Sequence, residues 1–148
     1  MNHPAQPSHF DVIVIGAGAA GMMCAAEAGQ RGRRVLIIDH AEKLAEKIRI
    51  SGGGRCNFTN LEVGIANYLS RNPQFCRSAL SRFTPAHFIE RVNRHGIRWH
   101  EREHGQLFCD DSAQDIIDML RTGCDNGQVS WAMPCTLETV GTGTGADA

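Results

Sequence analysis

The sequence predicts an α/β fold with a parallel sheet, and three features of its N-terminal part carry that expectation. Asp11 to Ile15 is a short apolar run that enters Gly16-Ala17-Gly18-Ala19-Ala20-Gly21. An alanine-rich stretch from Ala19 to about Gln30 follows. A second apolar run, Arg34 to Ile38, then ends on Asp39. Strand, glycine turn, helix and strand in close succession make a βαβ unit, whose strands are parallel and joined by a right-handed crossover.

Residues 1–9 are polar and contain proline, which predicts a flexible leader. The first helix ends near Gly29 and Gly32, where a left-handed residue can close it. Lys43 to Ile50 has mixed character and reads as a loop. Thr84-Pro85 offers an N-cap and a first-turn proline for a helix to about Arg94, closed by His95-Gly96. Ile97 to His100 and Leu107-Phe108 read as short extended pieces. Ser112 can cap a helix from Ala113 to Thr122, with Ile116, Ile117 and Leu120 on its apolar face. Val129 to Trp131 and Thr136 to Val140 read as short strands. Residues 10–140 are thus expected to form one partial domain. The Gly/Thr-rich tail 141–148 reads as a flexible loop cut within a longer chain.

The chain has 148 residues, 42% hydrophobic and 21% charged, with a formal net charge of -1. That composition is globular. The charge gives no broad attraction to nucleic acid or membrane, so a small-molecule substrate is the expected partner. Val12 to Ala26 is uncharged but lacks a basic lead-in and is too short to span a bilayer, which predicts a cytoplasmic chain. Six scattered cysteines, with no Cys-x-x-Cys pair, read as small buried apolar residues or, for Cys56, as a reactive thiol.

In Gly16-x-Gly18-x-x-Gly21 the glycines divide the work: a tight turn out of the strand, a close backbone approach to a pyrophosphate, and close packing of helix on strand. The helix N-terminus then presents free N–H groups to phosphate. Asp39, at the end of the second strand, can accept both ribose hydroxyls of an adenosine and would repel a 2′-phosphate. An ordinary structural turn and a solvated strand-end carboxylate are the plainer alternatives.

Ser51-Gly52-Gly53-Gly54-Arg55-Cys56-Asn57 is the second cluster. Three consecutive glycines are costly to order, so they suit a site where backbone closely approaches a ligand. Consecutive N–H groups can form an anion nest, Arg55 adds a charge-assisted donor, and Asn57 can meet a heterocycle edge. A flexible surface loop is the alternative. Such a loop in place of a second helix and strand favours FAD over NAD alone, because FAD needs contacts beyond the first βαβ unit.

Two further patterns carry less. His100-Glu101-Arg102-Glu103-His104 matches a zinc-protease signature, but it follows a strand-like stretch, meets Gly105 at once and has no later histidine, so no metal site is expected. Arg71, Arg77, Arg82, Arg91, Arg94 and Arg98 suggest a basic face, which interspersed acids would reduce to an ordinary solvated surface.

With these residues in hand, the chain resembles the BaiN-like, or aminoacetone-oxidase-like, NAD(P)/FAD-dependent oxidoreductases. The matching stretches are Asp11 to Gly21, Ser51-Gly52-Gly53-Gly54-Arg55-Cys56-Asn57-Phe58-Thr59-Asn60, and Gly105 to Ala113. The resemblance implies a Rossmann-like FAD/NAD(P)-binding domain with a parallel sheet, truncated relative to a longer family protein. It implies FAD as cofactor, with NAD(P)H as electron donor. By position, Gly16, Gly18, Ala19, Ala20 and Gly21 would hold the pyrophosphate and Asp39 the ribose. Lys47, Ser51, Gly52, Gly53, Gly54, Arg55, Cys56 and Asn57 would lie along FAD toward the flavin. Ala45 stands where the family usually has Gly before a basic pair, and Glu46 replaces one basic residue. The implied function is an oxidoreductase positioning FAD for hydride transfer to or from a small molecule, inactive as a fragment. An NAD-binding dehydrogenase domain and a non-catalytic nucleotide-binding module are the alternatives. No residue stands out as acid, base or nucleophile.

Overall fold

The computed structural model describes residues 9–141, so most of the expected leader (1–9) and tail (141–148) lies outside the described residues. The stretch 10–140 comprises two compact units. One contains residues up to Ala45 together with those from Leu120 onward, and the other spans Glu46–Met119.

The first unit is the βαβ element. β1 (Val12–Ile15), α1 (Ala19–Gln30) and β2 (Val35–Ile38) form where the apolar runs and alanine-rich stretch predict. β1 pairs with β2 in parallel, from Val12 opposite Val35 to Ile15 opposite Ile38. β6 (Ser130–Ala132) adds a third parallel strand on the far side of β2. Helix α5 (Ala113–Asn126) ends in this unit. A Cβ on Gly123 would sit 3.4 Å from the Ala26 methyl, and one on Gly29 would collide with the Gly127 backbone. The end of α5 therefore lies close against α1 at Gly123 and Gly127, where the Gln30 side chain also donates to the Gly123 carbonyl at 3.1 Å.

Val35, Ile37, Met22, Ala25 and Cys124 are fully buried or nearly so. The apolar run of β1 is half-buried on one side only, since Ile13 and Ile15 are 56% and 61% exposed. β1 is an edge strand in the described sheet, and the side chains alternating with Val12 and Val14 face away from α1.

The second unit holds a three-stranded antiparallel sheet in the order β3 (Asn57–Asn60), β5 (Gln106–Cys109), β4 (Trp99–Glu101). Its central strand is its core: Leu107 and Cys109 are fully buried and Phe108 nearly so. Helix α4 (Pro85–Arg94) begins as predicted, with the Thr84 hydroxyl accepting the His87 N–H at 3.4 Å and proline at its start. Two short helices were not foreseen. α2 (Glu46–Ile50) lies within the presumed loop, and α3 (Arg77–Arg82) precedes α4. The Ser51 hydroxyl donates to the Ile48 carbonyl at 2.9 Å, which satisfies one C-terminal acceptor of α2 and lets so short a helix persist.

Residues 136–140 form no strand: β6 ends at Ala132, Pro134 has no N–H to offer a ladder, and no described strand pairs beyond it. Among the described residues no helix is long and apolar enough to cross a membrane.

Candidate functional site

In the first unit, the glycine turn and Asp39 form one structure. Gly16 has φ +103, a conformation that an L side chain resists, and its N–H donates to the Ile38 carbonyl at 2.8 Å. The turn is thereby tied to the end of β2. Gly18 is extended and N-caps α1 without a side-chain bond, and the first helical turn contains no acid. The N–H groups of Ala19, Ala20 and Gly21 thus head a helix whose own first turn carries no carboxylate. Gly21 serves packing: a Cβ there would run into the Gly16 carbonyl oxygen and sit 3.3 Å from Val14 Cγ1.

Asp39 closes the turn. Its Oδ2 accepts the Ala17 N–H at 2.6 Å and its Oδ1 accepts the Ala41 N–H at 2.8 Å. The His40 ring nitrogen lies 3.5 Å from Oδ1. The Ala17 N–H, then the Ala41 N–H, hold the carboxyl below its ordinary range against a modest opposing effect of burial, so Asp39 is an anion at neutral pH. A cleft of about 420 Å³ opens at the carboxyl ends of β1 and β2, lined by Gly16, Asp39, His40, Cys135 and Leu137 among others. That is where parallel α/β sheets bind ligands, and the volume lies within the usual range of ligand pockets.

In the second unit, Ser51 to Gly54 form a tight turn with Gly52, Gly53 and Gly54 at φ +57, +66 and +85. The Cys56 N–H returns to the Ser51 carbonyl at 3.1 Å, and the Cys109 N–H donates to the Arg55 carbonyl at 2.9 Å. Arg55 Nη1 donates to the Asp110 carbonyl at 3.0 Å. A Cβ on Gly52 would come within 2.7 Å of the Phe108 ring. Asn57 opens β3, and in the amide orientation that satisfies its bonds it donates to the Thr59 and Leu107 carbonyls at 3.1 and 3.3 Å. Lys47 is exposed on α2. Ala45, where the resemblance implies Gly, is buried at φ +54, a left-handed position that explains a preference for glycine.

Cys56 is buried at φ +48, and burial pushes its thiol up, partly offset by a hydrogen bond with Ser51. A reactive thiolate at this position is therefore set aside.

Gly16, Gly18, Ala19, Ala20, Gly21 and Asp39 belong to the first unit. Lys47, Ser51, Gly52, Gly53, Gly54, Arg55, Cys56 and Asn57 belong to the second. Two contributors escaped the sequence. Ala17 acts through its backbone N–H, which its side chain does not advertise. Phe108 reaches Gly52 from a strand remote in sequence. The zinc-like pentapeptide is not a helix: His100 lies on β4 with Nδ1 2.7 Å from Asp110 Oδ1, and His104 has φ +60 in the turn that follows.

Residues 10–146 match the family described as the HI0933-like protein Rossmann domain. The chain is 63% identical over 124 residues to a ribosomal RNA dihydrouridine synthase of Escherichia coli, covering 84% of this chain and 31% of the relative. It is 54% identical over 113 residues to a protein of the same name from Haemophilus influenzae, covering 76% and 28%. A 3-dehydro-bile acid delta(4,6)-reductase of Clostridium scindens is 29% identical over 110 residues, covering 72% and 27%. The chain thus spans about a third of the length of the curated relatives it matches. An N-terminal strand, glycine turn and helix closed by a clamped aspartate are what a nucleotide-binding parallel fold requires, and the chain belongs to the HI0933-like Rossmann-domain family.

Proposed function

We propose that this chain is the FAD-binding portion of a flavin-dependent reductase. The observation that carries the proposal is the Asp39 carboxylate, ionised and fixed by the Ala17 and Ala41 N–H groups at the wall of the strand-end cleft. A carboxylate so placed suits a ribose diol and disfavours a 2′-phosphate. The glycine pattern supports a bound nucleotide. Gly18 has an ordinary φ of -86, and a Cβ there would meet no protein atom within 4 Å. The fold itself therefore does not demand glycine at 18, whereas a pyrophosphate drawn against the backbone would.

In this assignment Gly16, Gly18, Ala19, Ala20 and Gly21 hold the pyrophosphate through backbone N–H groups and the helix end, and Asp39 holds the adenosine ribose. Lys47 and Ser51 to Asn57 are assigned to the rest of the cofactor by the family resemblance. Bound FAD supplies a ring nitrogen that takes up and gives hydride, and NAD(P)H is the assigned electron source.

The substrate we assign is a uracil base in ribosomal RNA, reduced across its C5–C6 bond by one hydride and one proton. The 63% identity to a relative named for that product supports it. The net charge of -1 does not oppose it, because it is the sum over a chain spanning about a third of that relative's length.

The intact protein should purify yellow and release FAD on heating, and cells lacking it should lose dihydrouridine from ribosomal RNA by nucleoside mass spectrometry. A colourless protein that binds NAD alone would establish a dehydrogenase domain instead. FAD binding without any reductase activity would leave a non-catalytic module.

A further inference from the structure

The segment containing α3 and α4 carries a pattern that nucleotide binding in the first unit does not use. From Arg71 to Arg98 there are six arginines, no lysine and a single acid, Glu90, so acids do not intersperse this run as expected. Glu90 pairs with Arg94 at 2.6 Å, and Arg98 pairs with Asp111 at 3.0 Å. Arg71, Arg77 and Arg82 are exposed and have no acidic partner among the described residues; Arg77 reaches only the neutral Gln74 side chain, at 3.2 Å.

A cleft of about 260 Å³ opens in the same segment, its wall including Phe58, Tyr68, Leu80, Phe83, Thr84 and Phe88. Arg77 is one helical turn before Leu80, Arg82 directly precedes Phe83, and Arg71 lies three residues after Tyr68. Phe88 is edge-on to Phe83 at 6.3 Å and 6.0 Å from Phe58, so the inner rings brace one another. Tyr68 and Phe83 remain 47% and 42% exposed. Solvent-exposed aromatic rings and, within three residues of the cleft wall in sequence, arginines without an acidic partner are the two components of single-strand recognition: rings stack on bases, and planar guanidinium groups grip phosphates. The cleft is smaller than a drug-sized ligand pocket, which suits one base and not a dinucleotide.

We infer that this cleft takes an unpaired nucleobase of single-stranded RNA, with Arg71, Arg77 and Arg82 on the flanking phosphates. The inference deepens the substrate assignment above and rests on it for the identity of the polymer.

The test is fluorescence anisotropy of the intact protein with a fluorescein-labelled oligouridylate across a salt series, with duplex RNA and polyglutamate as competitors. Tyr68→Leu keeps apolar bulk but removes the ring, and should weaken oligouridylate binding roughly five- to hundredfold, as loss of one base stack does. Tyr68→Phe should bind like the parent, which separates stacking from folding. Arg77→Gln combined with Arg82→Gln should lower the slope of log K against log salt by about 1.4, or ~0.7 per phosphate.

Unchanged affinity in Tyr68→Leu overturns the inference, and so does equal competition by duplex RNA or polyglutamate. Dihydrouridine formation by the parent protein, measured alongside, keeps the two assignments apart. If that activity is present while the variants bind normally, the cleft fails alone. If the activity is absent while binding follows the variants, the substrate assignment fails and the RNA cleft stands.

Discussion

Asp39 Oδ2 accepts the Ala17 N–H at 2.6 Å, joining the end of the second strand to the turn that leaves the first. The contact is local to the two strand ends, yet it fixes the orientation of the carboxylate. Its other oxygen is held by Ala41, so the side chain has little rotational freedom left. A carboxylate set in this way pays little ordering entropy when a ribose binds.

Asp39→Asn should therefore weaken FAD binding roughly ten- to hundredfold, the loss of one or two charge-assisted bonds at about 1.5–3 kcal/mol. The carboxyl is depressed below its ordinary value of 3.8, chiefly by the Ala17 and Ala41 N–H groups. Its folded form thus stays ionised at pH values where an unfolded aspartate would take up a proton. The stability it contributes is present above about pH 4 and lost as pH falls through the depressed value. Titration of the apoprotein with FAD at neutral pH, and acid unfolding of parent and variant, check both halves. An unchanged FAD affinity in Asp39→Asn would remove Asp39 from the ribose site.

Two glycines of the same motif should separate folding from binding. Gly21→Ala puts a methyl into the Gly16 carbonyl oxygen, a backbone atom that cannot swing aside, and should destabilise the protein by about 1–3 kcal/mol or more. Gly18→Ala meets no atom within 4 Å at an allowed φ, and its thermal midpoint should hold or rise slightly. Its FAD affinity should nonetheless fall. Melting curves and FAD titrations on both variants decide the point, and a Gly18→Ala protein that binds FAD normally would show that no phosphate approaches there.

The parts legible in the sequence were those whose cause is local. Gly16 to Gly21, and Thr84-Pro85 before α4, specify their own geometry within a few residues, and Asp39, 22 residues from the Ala17 N–H it accepts, was legible from its place at the end of the second apolar run. In the antiparallel sheet the extended pieces read at Ile97 to His100 and Leu107-Phe108 became β4 and β5, but β3 was not legible, because Asn57–Asn60 has Phe58 as its one apolar side chain and becomes a strand only by pairing with β5. The same distance effect hid the Phe108 ring over Gly52. α5 runs past its predicted end at Thr122 to Asn126, with Gly123 tolerated inside it where a Cβ would sit 3.4 Å from the Ala26 methyl. Conversely, Thr136 to Val140 has strand-like composition but no described partner.

The triple glycine yields a graded prediction. Gly53→Ala meets open space and should cost only the left-handed backbone penalty, about 1–2 kcal/mol. Gly52→Ala adds a clash with Phe108 Cε1 at 2.7 Å. That ring cannot retreat easily, since His100 stacks on it at 6.2 Å and the Arg102 guanidinium lies 4.3 Å from its centroid. Urea unfolding should therefore rank parent, Gly53→Ala and Gly52→Ala in descending stability, with about 1–3 kcal/mol more lost at 52. Equal losses at 52 and 53 would mean that the ring moves freely.

The thiols should divide by burial. Burial pushes Cys109 up to about 12 and Cys124 up to about 11 from an ordinary 9.0, and raises Cys56 as well. Cys24 is exposed, and Cys76 and Cys135 are partly so. A thiol reagent at pH 8 should thus modify Cys24, Cys76 and Cys135 in the folded protein and reach Cys56, Cys109 and Cys124 only after denaturation, as mass spectrometry of peptides would show. The same shifts set an alkaline limit. Below pH 9 folded and unfolded thiols are both protonated, and burial carries no pH-dependent penalty. Above it the unfolded thiols ionise while the buried ones stay protonated, so stability should fall by about 1.4 kcal/mol per pH unit for each such thiol until the folded value is reached. Cys109→Ala should flatten that alkaline slope. Rapid labelling of Cys56 in the native state would instead mean that its strand end opens readily to solvent, and would return that thiol to the list of reactive groups.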